Sequence, residues 1–138
     1  MLVDFAFICD YAEATGKINA LGIGFDTIFA PNVPAKHPSF FLVVQLRAST
    51  VEAGDKQLKI SLIDEDGQNV IPDINGKFSV PKPREGLESK ARLAVNFGNV
   101  EFPKYGSYSV HAVIDGHEMV SIPLKVSPPP RSGYPKSD

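Results

Sequence analysis

The chain has 138 residues with a net charge of -2, 43% of them hydrophobic and 22% charged. That is enough for one domain with a core and too little for two ordinary ones. The near-neutral balance gives nucleic acid no basic stripe to bind, and the longest apolar runs, such as Phe40 to Val44, fall well short of a membrane span of roughly eighteen residues.

The first segment with strand character runs from about Leu2 to Asp10, with Val3, Phe5, Phe7 and Cys9 alternating onto one face. Its start, Met1-Leu2-Val3-Asp4-Phe5, has no basic region followed by an apolar run, so no secretory signal is expected. Cys9 has no second cysteine to pair with, and no Asn-x-Ser/Thr acceptor occurs. A buried thiol and a cytoplasmic location are the expectations. Thr15-Gly16-Lys17 turns the chain into a second segment, Ile18 to Phe29, which Gly22 and Gly24 interrupt as a bulge or bend would.

After a proline-rich loop (Pro31, Pro34, Pro38), a third strand from Ser39 to Thr50 sets Phe40, Leu42, Val44 and Leu46 on one side. Leu58 to Leu62 is a fourth, ending at the acidic turn Asp64-Glu65-Asp66-Gly67. Pro72, Pro81 and Pro83 restrict the stretch from Asn69 to Arg84 to edge pairing or loop, because proline cannot donate to a ladder. A further strand carries Ala91, Leu93, Val95 and Phe97 inward.

The last hairpin is the strongest signal. Tyr108, Val110, Ala112 and Ile114 alternate with Ser107, Ser109, His111 and Val113; beyond Asp115-Gly116 the pattern resumes as Val120, Ile122, Leu124 and Val126. A two-residue turn would send those two apolar rows to opposite faces. A three-residue loop with Gly116 left-handed in a G1 bulge restores agreement, and the odd loop is the expectation. Seven to eight short strands and no helical periodicity predict an all-β, two-layer antiparallel sandwich over residues 1–126. Residues 127–138 read as a disordered proline-rich tail.

Phe102-Pro103 followed by Gly106-x-Tyr108-x-Val110 resembles the tyrosine corner of immunoglobulin-like and fibronectin-like sandwiches, with Tyr108 as the matching residue. Val110 stands where immunoglobulins keep a cysteine, so no disulfide is implied. The stretch from Leu2 to Val126 is also similar to a family of uncharacterised bacterial single-domain β-sandwich proteins. The resemblance rests on Cys9-Asp10-Tyr11-Ala12, on Gly22-Ile23-Gly24-Phe25-Asp26, and on the hairpin from Phe102 to Gly116. It implies a fold and no activity, cofactor or functional residue.

Chemistry is sparse. Asp64 and Asp66, with Asp73 or Glu52 as distant help, are the candidate calcium ligands, though the EF-hand spacing is absent. His37, His111 and His117 make no metal-binding pair, and His111 should point away from the core. No Gly-x-Ser-x-Gly elbow or phosphate loop exists. Pro128-Pro129-Pro130-Arg131 could dock as a polyproline helix. Phe40-Phe41-Leu42-Val43-Val44 has no polar side, so either the Pro31 to Pro38 loop or a second subunit must cover Phe41 and Val43.

The expected function is therefore a non-catalytic interaction or structural module. It would bind an unidentified protein or pair as a homodimer through Phe41 and Val43, with no cofactor, nucleic acid or membrane. The alternative is a small-ligand, glycan or calcium-binding domain using end loops, with Gly106, Tyr108 and Gly116 structural in either case. A hydrolase would need a Ser/His/acid set that only folding could assemble.

Overall fold

The computed structural model describes residues 1–85 and 87–130. Ten strands follow in order: β1 (Leu2–Cys9), β2 (Tyr11–Thr15), β3 (Lys17–Leu21), β4 (Thr27–Phe29), β5 (Ala35–Ala48), β6 (Gly54–Asp64), β7 (Ile74–Val80), β8 (Ser89–Phe102), β9 (Gly106–Ile114) and β10 (His117–Ser127). Among the described residues the only helix is a 3-10 turn at Thr50–Glu52, closed by Glu52 Oε1 accepting from the Ser49 N–H and hydroxyl. Among the described residues no helix is long and apolar enough to cross a membrane.

The strands form a three-stranded sheet, β1-β5-β8, a five-stranded sheet, β4-β10-β9-β6-β7, and the separate β2–β3 hairpin. The chain is all-β as expected, with ten strands among the described residues rather than seven to eight. It is not wholly antiparallel, because β4 runs parallel to β10. One extra strand is β2, between Asp10 and the turn at Gly16; the other, and the parallel pairing, begin at the glycines. Gly22 and Gly24 take φ +68 and +83, splitting the expected Ile18 to Phe29 strand into β3 and β4, which join different sheets. The stretch bracketed by Pro72 and Pro81 does pair, as the edge strand β7.

One apolar cluster is shared by the inner rows of both larger sheets. From β5 come Phe40, Leu42, Val44 and Leu46; from β9, Tyr108, Val110, Ala112 and Ile114; from β10, Val120, Leu124 and Val126. Phe40 stacks on Phe97 of β8 at 4.7 Å, and Phe102 meets Tyr108 edge-on at 5.0 Å. Such offset and T-shaped contacts suit the ring quadrupole. Pro123 sits inside β10 without breaking a ladder. Lys125 N–H donates to Asp26 O, on the side away from β9; Pro123, two residues earlier, points the same way, beyond the start of β4.

Two bulges set which residues reach this core. In β10, Ile114 pairs with His117, so the turn is the tight Asp115-Gly116 pair with φ +48 and +81, and the odd loop is incorrect. The parity problem is solved one step later: the register shifts between Glu118 and Val120, leaving Met119 as the extra residue, and Val120 then faces Ala112. In β1 a shift between Val3 and Phe5 makes Asp4 the extra residue. Val3, Ala6 and Ile8 therefore join the core, while Phe7 and Cys9 belong to a second, outer cluster. The expected single row of Val3, Phe5, Phe7 and Cys9 is corrected accordingly.

That second cluster covers the outer face of β5. Val43 is 0% exposed, packed with Cys9 and Ala12, with Ile18, Ala20, Phe41 and Ala94 around it. The cover over Val43 is the β2–β3 hairpin rather than the proline loop. Residues 11–21 fold back over the sheet because Ala12, Ala14, Ile18 and Ala20 share one face of the hairpin. Val43 is thus unavailable as an interface residue, and Phe41 is half-buried with Tyr11 edge-on at 5.3 Å. Beyond the hairpin the same sheet face turns polar: buried Gln45 donates to Asp4 Oδ2 at 3.0 Å and accepts from Arg92 Nε at 2.8 Å. Arg47 Nε lies 3.1 Å from Asp4 Oδ1 as a charge contact without an aligned hydrogen bond. The Gln45 bond first, then Arg47, holds the Asp4 carboxyl below the usual carboxylate range.

Candidate functional site

The solvent face of the five-stranded sheet carries the most organised polar chemistry of the molecule. Because β9 alternates, Ser109 and His111 project from the face opposite Tyr108 and Val110. Glu118 lies opposite Val113 on the same face, diagonal to His111. His111 Nδ1 is 2.6 Å from Glu118 Oε1, and its Nε2 is 2.7 Å from Ser109 Oγ. An ionised carboxylate only accepts, so Nδ1 carries a proton; in the neutral ring Nε2 then accepts from the Ser109 hydroxyl. The His111 side chain is 17% exposed. It points outward as expected, but it is held rather than free.

Beside this chain of bonds lies a second network. Ser61 and Ser121 flank His111 on β6 and β10. Ser61 Oγ donates to Asp73 Oδ1 at 2.9 Å, and Asn69 Nδ2 donates to the same oxygen at 2.7 Å. Ile63 and Pro123 flank Ser109 on the same two strands.

The candidate calcium ligands are not drawn together. Asp64 Oδ1 accepts from the N–H groups of Asp66 and Gln68, closing the turn on itself. Asp66 Oδ2 takes the Lys104 ammonium at 3.4 Å, and this bond is the main reason the Lys104 pKa is raised. Asp73 is held by Ser61 and Asn69 as described. Among the described residues no group of three or more His, Cys, Asp or Glu side chains is placed to hold a metal ion. An open depression of about 450 Å³ between Pro34, Asp64, Asn69, Glu101 and Pro103 has no convergent donor set.

The remaining candidates have structural placements. Tyr108 Oη donates to Lys104 O at 2.6 Å and accepts from Lys104 N–H at 3.3 Å, pinning the β8–β9 corner. Tyr105 makes a comparable bond that sequence reasoning missed, donating to Ala30 O at 2.7 Å. A Cβ on Gly106 would sit 3.2 Å from Glu65 Oε1. Asp115 Oδ1 accepts from Gln57 N–H at 2.8 Å, tying the tip that includes Gly116 to β6. His37 lies beside Phe25 and Phe40, where burial lowers its pKa. Burial likewise pushes the Cys9 thiol up, keeping it protonated and unreactive. Arg131 of the polyproline reading, with the tail beyond it, lies outside the described residues.

The Ser109, His111 and Glu118 set escaped sequence reasoning for a definite reason. With an odd loop at Asp115-Gly116, Glu118 falls on the inner face. The tight turn moves it outward. The signal was present in Ser109-x-His111 on one strand face and an acid just past the turn.

Comparison with known proteins adds little beyond kinship. Among solved structures, the chain is similar to Pseudomonas fluorescens alkylpurine DNA glycosylase AlkC bound to DNA containing an abasic site analog, at 14% identity and a TM-score of 0.42. The alignment covers 73% of this chain and 27% of that one, so the chain spans only about a quarter of that protein. A likeness at that level bears on neither fold nor function. Among curated proteins none matches. The profile of one family does match, over residues 4–127, and the chain therefore belongs to the family of unknown function DUF6941.

Proposed function

We propose that this chain is an interaction module: a cytoplasmic, immunoglobulin-like sandwich that acts by binding a protein partner, with a second copy of itself as the first partner to test. The sandwich reading is supported by the core shared between the two larger sheets and by the Tyr108 bonds to the Lys104 backbone, which have the geometry expected of a tyrosine corner. The contact expected at Phe41 and Val43 moves outward onto the hairpin that covers them.

One observation carries the reading. Tyr11 and Leu21 face each other across the base of the β2–β3 hairpin, with one edge of Tyr11 against Phe41. They are 50% and 67% exposed, and Ile23, two residues on, is 60% exposed. Burying a side chain of this size is worth about 1.5–3 kcal/mol, so three neighbours left in water favour a partner. Light scattering across a concentration series tests it, alongside capture of cell protein by wild type and Leu21→Asp. Self-association or a captured partner that Leu21→Asp loses is the expected result. A strict monomer that captures nothing the variant does not also capture overturns the proposal.

A further inference from the structure

We propose that Ser109 is an activated nucleophile, with His111 as its base and Glu118 as the group that orients the base. This site is separate from the hairpin surface and does not depend on it. The geometry has the features such chemistry requires. Base and nucleophile are 2.7 Å apart, base and carboxylate 2.6 Å apart, and the acceptor-only carboxylate selects the tautomer that leaves Nε2 free to take a proton. The ring is held by bonds at both nitrogens and by strand neighbours on each side, so little orientation is left to chance.

The reaction class follows from the surroundings. Ser109 Oγ bonds to an acyl carbon while its proton passes to His111 Nε2. The bond from that carbon to the leaving oxygen breaks, and Nε2 returns the proton to the departing alcohol. Water then attacks the acyl-serine, giving a proton to His111 Nε2; the bond from the acyl carbon to Ser109 Oγ breaks, Nε2 returns that proton to Oγ, and the carboxylic acid is released. Glu118 stays ionised throughout and stabilises the transient imidazolium. Ser109 lies mid-sheet between β6 and β10, where backbone N–H groups serve the ladders rather than an oxyanion. The substrates are therefore esters with good leaving groups, not amides. Ile63 and Pro123 beside Ser109 suit a small apolar acyl group.

The test uses the full chain with p-nitrophenyl acetate and, separately, a fluorophosphonate probe, with the modified residue located by mass spectrometry. A single adduct on Ser109 is expected, formed at a rate that depends on the His111 imidazole. Ser109→Ala should abolish the adduct, and His111→Gln should slow acylation about 100-fold or more. Glu118→Gln should also slow it, while Ser107→Ala, on the same strand face, should leave it unchanged. Circular dichroism establishes that each variant is folded. No adduct, an adduct spread over several serines and lysines, or an unchanged rate in His111→Gln each overturns the assignment.

Discussion

Replacing Tyr108 with phenylalanine isolates the bond that pins the β8–β9 corner. The ring contact with Phe102 survives the change, so packing is nearly conserved and only the hydroxyl is lost. Its strong bond is the one donated to Lys104 O at 2.6 Å; the one accepted from Lys104 N–H is long, at 3.3 Å. A net hydrogen bond is worth about 0.5–1.5 kcal/mol, and a carbonyl left unpaired and poorly hydrated costs about 1–3 kcal/mol. Because Lys104 is half-buried and water can reach its carbonyl in part, the expected loss is about 1–2 kcal/mol. Equilibrium urea unfolding measures it, read as a lower midpoint at unchanged slope. The same variant has an alkaline signature. Burial raises the Tyr108 pKa above its ordinary ~10, the Lys104 bonds opposing only in part. A raised folded-state value means stability is intact below the unfolded pKa and is lost as pH rises through the folded one. Tyr108→Phe should flatten that decline. A stability change under about 0.3 kcal/mol, with an unaltered alkaline limb, would refute the reasoning.

Gly22→Ala and Gly24→Ala separate backbone strain from crowding. Both positions have positive φ, costing about 1–2 kcal/mol for an L side chain. Only at Gly22 would the new Cβ meet a neighbour, running into the Asp10 carboxylate, while Gly24 is open. Thermal unfolding should show Gly22→Ala the more damaged, and equal losses would mean that Asp10 simply swings away. Glu52 is held at a pKa of about 2, first by its bond to the Met1 amino group and then by Ser49 N–H. A depressed value contributes stability that is present above the ordinary carboxylate range and lost as pH falls toward 2. Glu52→Gln should therefore lose less stability than wild type between about pH 4.5 and 2, and parallel acid curves would show that the amino group is not bound there in solution.

Alternation along a single segment is a local property, and wherever it decided the outcome the sequence was sufficient. Phe40, Leu42, Val44 and Leu46, like Tyr108, Val110 and Ala112, enter the core as period-2 reading requires, and the prolines confine β7 to an edge. Nothing local says where an extra residue will be absorbed. Met119 and Asp4 become bulges because their partner strands fix the pairing on both sides; one misplaced bulge is enough to put Glu118 on the wrong face and hide its bond to His111. The cover over Val43 is likewise a meeting of residues 12–20 with residue 43, a contact between segments whose individual patterns carry no mark of each other. The long strands β5, β8 and β9 and their inward rows were thus written in the chain. Which strand faces whom, which apolar row is already covered, and which polar groups converge emerged only from cross-strand register, because register is a relation between segments.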